Sequence, residues 1–356
     1  MDASPGYLVL LGSGETSATG RRIFEWLLQR ITPPVRIAIL ETPAGFQPNS
    51  ALVAQKIADF LHRRLSNYAI ETIIVPARRR GTPNSPDDPA FADLVLRSSC
   101  IFLGPGSPTY AVRQLRHSQV WDATRIRYFL GGAIVLSSAA VLAAGAFTLP
   151  VYEIYKAGAD LNWETGLDLL PSPTAPLVFI PHWNNREGGA ELDTSHCFVG
   201  QERFALLQAL LPVDAVIVGI DEHTALVLER GSSTARVLGL GRVHVHGRAG
   251  TGDYGDGGAI PLAELGRIDW AAFAASLPPA LVARARELDQ PRDEGQVPEV
   301  IPLEVLDLVD RREAARRRRD WETADALRRE VEQFGYRIED TPVGPRLRPG
   351  TPRANR

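Results

Sequence analysis

The chain has 356 residues, of which 44 % are hydrophobic and 23 % are charged, so it has a globular composition and room for two or three domains. A net charge of −3 provides neither the global basic field expected of a nucleic-acid-binding protein nor the acidic excess of a disordered one. Two cysteines, Cys100 and Cys197, are too few for a disulfide framework or a four-thiolate zinc site, which favours a reducing cytoplasm.

The first part of the chain alternates short apolar runs with amphipathic stretches. The apolar runs are nearly continuous, which is typical of strands buried on both faces of a parallel sheet, and the stretches between them have the helical period. Strands are predicted at residues 7–11, 36–40, 70–75, 100–103, 133–136, 177–180, 215–220 and 224–228, and helices at 20–30, 50–66 and 110–115. This alternation predicts an α/β fold with a doubly wound, mostly parallel sheet.

One apolar run, residues 131–151, is only just long enough to span a membrane. Because Ser137, Ser138 and Pro150 interrupt it, we interpret it as a buried strand, turn and helix. The N-terminus has no basic region before an apolar stretch and therefore predicts no signal peptide. We expect a cytoplasmic protein without membrane contact.

The composition changes beyond about residue 250. Residues 251–258 are rich in Gly and Asp and predict a loop, residues 269–288 predict a helix, and residues 290–300 have the composition of a linker. Two helices should follow, one at 302–319 and one between the cap Asp320 and Gly335. The expected domains are therefore a main α/β domain at 1–250, a loop, helix and linker at 251–300, a small α-helical hairpin at 301–345 and a disordered tail at 346–356.

The ends of the predicted strands carry the residues with chemistry, and ligands of such sheets bind at the carboxyl ends of strands. Ser138 follows the strand at 133–136, in a strand-to-helix turn that would expose its hydroxyl. The loop containing Gly104 and Gly106 could add a backbone donor for an oxyanion hole. A serine in an apolar run can also be plain small-residue packing, and this alternative stays open.

His182 and Glu222 follow the predicted strands at 177–180 and 215–220. A neutral histidine can take the proton of a serine hydroxyl, and a carboxylate can orient the imidazole. Each residue also has a structural interpretation, as a packed histidine or a turn carboxylate. The position of all three groups at strand ends, which we assign to one sheet, favours a Ser-His-Glu triad.

Residues 5–250 resemble the peptidase S51 family of dipeptidase E and cyanophycinase, which has the class I glutamine amidotransferase-like fold. The matching motifs are LGPGSPTY at 103–110, LSSAAV at 136–141, PHWNN at 181–185 and GIDE at 219–222. The resemblance implies a serine-type hydrolase for a small peptide-like substrate. No metal signature stands out in the sequence, and we expect no cofactor. The implied site is the triad Ser138, His182 and Glu222, with the backbone amides of Gly106 and Ala139 as oxyanion hole. Arg203, Asn184 and Lys156 are candidate substrate-binding residues, of which Arg203 falls near an arginine of the family and Lys156 is chosen from its residue type alone.

The serine turn departs from that family, which usually has glycine two residues before and after the nucleophile. This chain has Leu136 and Ala140 there. Since the turn is tight, the bulk of Leu136 predicts crowding in front of Ser138. A non-catalytic binding or regulatory protein with a degenerate hydrolase site is therefore the alternative, and the position of Leu136 discriminates between the two.

Residues 312–348 resemble the last small helical domain of cysteinyl-tRNA synthetases, through the motifs around Asp320-Trp321, Ala324-Asp325 and Gly335. The nucleotide-binding signatures of a synthetase are absent, which excludes aminoacylation. The basic run 316–319 could contact RNA phosphates, or the hairpin could serve protein packing in a homodimer. Both alternatives remain open.

Overall fold

The computed structural model describes residues 5–68, 70–248, 250–289, 303–318, 320–341 and 344–349. Its contacts divide the chain into two compact units, Met1–Asp289 and Gln290–Arg356. The strands are β1 Tyr7–Leu11, β2 Arg36–Leu40, β3 Glu71–Val75, β4 Cys100–Leu103, β5 Ala133–Ser137, β6 Phe147–Thr148, β7 Glu164–Thr165, β8 Leu177–Ile180, β9 Val216–Ile220, β10 Thr224–Glu229, β11 Thr234–Gly239, β12 Val243–Gly247, β13 Gly250–Tyr254, β14 Ala259–Pro261, β15 Tyr336–Thr341 and β16 Gly344–Pro349. The helices are α1 Ala18–Leu28, α2 Ser50–Arg64, α3 Pro89–Leu96, α4 Pro108–Leu115, α5 Gln119–Phe129, α6 Ala139–Ala144, α7 Val151–Tyr155, α8 Gln201–Ala209, α9 Trp270–Ala275, α10 Pro279–Asp289, α11 Leu303–Arg317 and α12 Trp321–Gln333.

A large sheet forms the centre of the first unit. Within the described residues it has eight strands in the order β14-β11-β10-β1-β5-β4-β2-β3. From β1 to β3 every neighbouring pair is parallel, and β10, β11 and β14 extend the other edge antiparallel. Alternate residues of β1 belong to two different apolar clusters: Leu8 and Leu10 to one, Val9 and Leu11 to the other. Burial on both faces explains the continuous apolar runs, and the predicted doubly wound α/β fold is confirmed.

A smaller sheet has the strand order β13-β12-β9-β8. Apolar residues of β8 and β9 pack against those of α8 in a third apolar cluster. The prediction that the strands before Ser138, His182 and Glu222 share one sheet was wrong. Ser138 follows a strand of the large sheet, whereas His182 and Glu222 follow β8 and β9 of the small one. The chain crosses between the sheets in the short turn from β9 to β10, because β9 pairs with β12 while β10 pairs with β1.

Two parts of the region from 251 to 288 differ from the prediction. The Gly/Asp-rich residues 251–254 lie in β13, since backbone pairing with β12 outweighs their weak strand preference. The predicted helix at 269–288 is two helices, α9 and α10, because Pro278 and Pro279 interrupt the run. The predicted linker at 290–300 lies outside the described residues.

The second unit contains α11 and α12, followed by the antiparallel pair β15 and β16. Asp320 caps α12 by accepting a hydrogen bond from the Thr323 amide, and Gly335 ends it at φ +82°. The predicted hairpin of helices is present, but residues 346–349 of the predicted disordered tail are part of β16. Residues 350–356 lie outside the described residues.

The apolar stripe predicted for α12 is only partly buried. Ala324, Leu327 and Val331 pack in the core of the second unit, whereas Trp321 is 56 % exposed and Phe334 is 48 % exposed. Among the residues with described placement, no helix is long and apolar enough to cross a membrane.

Candidate active site

Ser138 lies in a sharp turn between β5 and α6. Its backbone has φ +53° and ψ −115°, a conformation that costs a non-glycine residue about 1–3 kcal/mol and persists only where the surroundings impose it. The Ser138 amide donates to the Leu11 carbonyl at 3.3 Å, and α6 begins at the next residue. The turn projects the hydroxyl away from the sheet, toward His182.

The three predicted triad residues form one chain of hydrogen bonds. Ser138 Oγ lies 2.9 Å from His182 Nε2, and His182 Nδ1 lies 3.0 Å from Glu222 Oε1. Because an ionised carboxylate only accepts, Nδ1 must carry the proton, and Nε2 is left to accept the serine proton. This arrangement can remove a proton from Ser138 and store it on an imidazole beside a carboxylate.

The end of β1 contacts all three arms of this chain. The Leu11 carbonyl accepts from the Ser138 amide, and the Gly12 carbonyl accepts from the His182 amide at 3.2 Å. The Gly12 amide donates to the carbonyl of Thr224, the residue that ends the turn containing Glu222. A Cβ at Gly12 would lie 2.1 Å from the Asp221 carbonyl oxygen, so only glycine allows this close approach.

Asn185 is a site residue that the sequence analysis missed. Its side chain is 2 % exposed, and its Nδ2 donates to Glu222 Oε1 at 2.9 Å. The hydrogen bond from His182, and secondarily that from Asn185, lower the pKa of Glu222 despite its partial burial. The carboxylate is therefore ionised at neutral pH, as an imidazole-orienting group must be.

Neither cysteine is a nucleophile at this site, although Cys197 lines the same cavity as Ser138 and its amide donates to the His182 carbonyl at 3.2 Å. Burial raises the pKa of Cys100 to about 12, and burial with a smaller effect of Glu222 raises that of Cys197 to about 12. Both remain thiols near neutral pH, and thiols are poor nucleophiles. Of the cysteines and Ser138, only Ser138 contacts the imidazole.

Gly106 and Ala139, the predicted oxyanion donors, line the same cavity as Ser138. The Gly106 backbone has φ +154°, and a Cβ there would lie 2.0 Å from the Pro43 carbonyl oxygen, so the loop requires glycine. Ala139 opens α6, where the first amides of a helix have no partner within it. In the described part of the chain, neither amide donates to another backbone carbonyl.

The serine cavity has a volume of about 340 Å³. Helix α7 supplies Tyr152 and Tyr155 to its lining, and Lys156, the next residue, also lines it. Leu136 lies elsewhere: it is 1 % exposed, packs in the core of the large sheet and does not line this cavity. The crowding predicted in front of Ser138 was wrong, because the side chains of a strand alternate and that of Leu136 points into the core.

The three predicted substrate-binding residues have different positions. Lys156 lines the cavity, with its Nζ 4.7 Å from the centre of the Tyr155 ring. The Asn184 side-chain oxygen accepts from the Glu222 amide at 2.9 Å and so fixes the acidic turn. Arg203 lies on α8, donates to the Val199 carbonyl and does not line the cavity.

A second hydrogen-bonded chain supports the acidic turn from behind. His244 Nδ1 lies 2.7 Å from Asp253 Oδ1, and its Nε2 lies 3.2 Å from Asp221 Oδ1, next to Glu222. Burial alone would lower the pKa of His244, but its two carboxylate partners raise it above its ordinary value. No group of three His, Cys, Asp or Glu side chains in the described ranges could hold a metal ion.

The fold of the first unit resembles that of a known peptidase. A solved structure of a peptidase from an acI-B1 Actinobacterium matches 73 % of this chain and 98 % of that chain, with a TM-score of 0.58 and 21 % identity. At this level of identity the likeness shows the fold, and it agrees with the fold that the motif resemblance predicts.

The second unit matches a different family. Residues 299–345 match the cysteinyl-tRNA ligase anticodon binding domain. The cysteine–tRNA ligase of Methanosarcina mazei is 44 % identical over 50 residues, which are 14 % of this chain and 11 % of the ligase. That of Rubrobacter xylanophilus is 59 % identical over 46 residues, 13 % of this chain and 10 % of the ligase. The chain thus spans about a tenth of the length of these relatives.

Proposed function

We propose that the first unit is a serine-type hydrolase that cleaves an acyl bond of a small peptide-like substrate. The observation that carries this proposal is the chain Ser138–His182–Glu222, with contacts of 2.9 and 3.0 Å. The solved structure with a similar fold is that of a peptidase, which supports the same class of reaction. Leu136 supports catalysis over the degenerate-site alternative, since it does not line the serine cavity.

Each group has a defined part in the reaction. Ser138 Oγ attacks the substrate carbonyl while His182 Nε2 takes its proton, and the amides of Gly106 and Ala139 receive the developing oxyanion. Glu222 stabilises the imidazolium, which then donates its proton to the leaving group. Water repeats the sequence on the acyl-enzyme and restores the serine.

The lining of the serine cavity agrees with a small polar substrate. The Lys156 ammonium can meet a substrate carboxylate, and the rings of Tyr155 and Phe198 form an apolar wall. A volume of about 340 Å³ is near the lower end of typical ligand sites, about 300–1,000 Å³.

Labelling with a fluorophosphonate probe tests the activated serine. The wild-type chain should be labelled covalently, and Ser138→Ala and His182→Ala should lose the signal while keeping their circular dichroism spectrum. A matched control is Ser66→Ala, an exposed serine outside the cavity lining. Persistent labelling of Ser138→Ala, or no labelling of a folded wild type, would contradict the proposal.

The match of residues 299–345 supports a second candidate function, contact with RNA through the second unit. The arginines of this unit differ in exposure. Arg312 is buried and its guanidinium donates to the Asp340 carboxylate, whereas Arg318 is exposed. Arg318→Glu should therefore weaken the binding of total tRNA by the full chain in a gel-shift assay. Unchanged binding, or none by the wild type, would favour the packing role.

A further inference from the structure

A second cavity, here called the outer groove, adjoins the serine cavity. It has a volume of about 1100 Å³, and both cavities are lined by Tyr152. The segment 106–109 lines both cavities, with its residues alternating between them. Gly106 and Pro108 line the serine cavity, and Ser107 and Thr109 line the outer groove. A substrate whose carbonyl lies at Ser138 can therefore continue into the groove.

The lining of the groove has three arginines, Arg80, Arg113 and Arg116, and two carboxylates, Glu153 and Glu164. The Arg116 guanidinium donates to the Thr165 and Gly166 carbonyls, and Arg113 lies over the Tyr110 ring at 5.3 Å. Of the three arginines, Arg80 forms an ion pair with Asp87 at 3.3 Å, whereas Arg113 and Arg116 form none among the described residues. Guanidinium groups held in this way are suited to phosphate, which they can bind by two parallel hydrogen bonds.

The groove also presents aromatic faces to solvent. Phe46 is 49 % exposed and Tyr152 is 41 % exposed, and Phe46 packs on Tyr110 with ring centres 5.3 Å apart. The Trp163 ring is fixed by its Nε1 donating to the Leu207 carbonyl at 2.8 Å. Exposed rings beside arginines are the elements with which proteins bind single-stranded nucleic acid, since bases stack on rings and phosphates pair with cations.

A carboxylate in the groove requires a hydrogen-bond donor on the ligand. Glu153 Oε1 accepts from the Thr109 hydroxyl at 2.6 Å, but its buried Oε2 has no hydrogen-bond partner. Acidic side chains offer this oxygen only acceptors and like charge. A ribose hydroxyl or the exocyclic amine of a base offers a neutral donor.

We propose that the outer groove binds the 3′-terminal nucleotides of an RNA and delivers an acyl ester on the terminal ribose to Ser138. This inference rests on the proposed serine hydrolase chemistry, but it takes an acyl ester of RNA as the substrate and not a small peptide. Bases stack on Phe46 and Tyr152, and phosphates pair with Arg113 and Arg116. The RNA contact proposed for the second unit is a separate site.

The reaction balances with water as the only co-reactant. Ser138 Oγ forms a bond to the ester carbon, and the bond from that carbon to the ribose oxygen breaks. The ribose oxygen leaves with the proton that His182 took from Ser138. Water then gives its hydroxyl to the acyl group and its proton, through His182, to the serine oxygen. The products are a free acid and an RNA with a free terminal hydroxyl.

Hydrolysis of two esters of the same acyl group tests the inference in the full-length protein. The first is a 3′-O-alanyl trinucleotide RNA, and the second is alanine methyl ester. The wild type should have a kcat/KM at least about tenfold higher for the RNA ester. Phe46→Ala and Arg113→Gln should raise KM for the RNA ester by about fivefold or more, with the methyl ester unchanged.

Matched controls come from α2, outside the groove lining. Leu52→Ala removes another exposed apolar side chain and Arg64→Gln another exposed guanidinium, and both should leave the two reactions unchanged. Equal kcat/KM for the two esters, or equal loss on both in the groove variants, would overturn the inference while leaving the hydrolase intact.

Binding measurements decide the case in which neither ester is hydrolysed. A fluorescein-labelled six-nucleotide RNA should bind the Ser138→Ala protein, and Phe46→Ala and Arg113→Gln should weaken that binding by about fivefold or more. Labelled hexaglutamate should bind at least tenfold more weakly. Tighter binding of hexaglutamate would indicate an acidic-peptide groove. RNA binding lost only in Arg318→Glu would place the contact in the second unit, and either result refutes the inference.

Discussion

Replacing Glu222 by Gln tests the electrostatic part of the proposed mechanism. Glutamine keeps an oxygen that can accept from His182 Nδ1 and Asn185 Nδ2, which now lie 3.0 and 2.9 Å from Glu222 Oε1, so the geometry should persist. What disappears is the negative charge beside the imidazolium. The substitution therefore separates the charge from the positioning.

The size of the effect follows from the distance and the exposure. Two unit charges about 4 Å apart near a protein surface interact by about 4 kcal/mol, and about 1.4 kcal/mol corresponds to a tenfold change in rate. Because the Glu222 side chain is 27 % exposed, solvent screening reduces this interaction. We expect Glu222→Gln to slow the reaction by about a hundredfold to a thousandfold.

The assay is the second-order rate of fluorophosphonate labelling at pH 7.5, with the folded fraction measured by circular dichroism. Glu25→Gln, which removes the charge of an ion pair with Arg21 on α1, is the matched control and should change the rate less than twofold. The pKa of Glu222 is lowered, so the difference between wild type and variant is full above its ordinary value and vanishes as the pH falls through the lowered one. A rate within threefold of the wild type at pH 7.5 would refute a catalytic role for this carboxylate.

Two further predictions concern the support of the site. Leu136→Ala should reduce the free energy of unfolding in urea by about 2–5 kcal/mol, since removal of its buried side chain would leave a cavity. The fluorophosphonate labelling rate of the folded variant should stay within twofold of that of the wild type. Faster labelling would mean that Leu136 does obstruct the serine. His244→Gln should cost about 1–2 kcal/mol of unfolding free energy at pH 5.5, where the raised pKa of His244 keeps both ring nitrogens donating to Asp221 and Asp253. Because a raised pKa stabilises the fold fully below the ordinary value and less as the pH rises through the raised one, the difference should shrink by pH 9, and a constant difference would exclude an imidazolium at this position.

The sequence was informative where local chemistry and period agree. The parallel strands could be located because runs such as Tyr7–Leu11 are buried on both faces and so are apolar throughout. Ser138, His182 and Glu222 could be named because each directly follows such a run. Their mutual contacts are a structural observation, and their catalytic roles stay a proposal.

Other features depend on contacts between distant segments and left no local signal. Asn184 and Asn185 are adjacent and chemically identical, and which amide meets the Glu222 carboxylate depends on the turn at His182, with φ +51°. Helix α7 has five residues, too short for a helical period to be recognised. Strands β9 and β10 belong to different sheets because they pair with β12 and β1, respectively, and the local sequences of β9 and β10 do not specify these pairings.

The contacts at the end of β1 have a consequence for how this protein can diverge. Leu11 and Gly12 form hydrogen bonds with the backbone of the serine turn, of His182 and of the acidic turn. A displacement of this junction would therefore move all three arms together. The segments that shape the cavities, including α7, are outside this junction. Substrate preference can therefore change through loop substitutions while the reactive geometry is retained, whereas a residue larger than glycine at position 12 would clash with the Ile220 and Asp221 carbonyls that lead into the acidic turn.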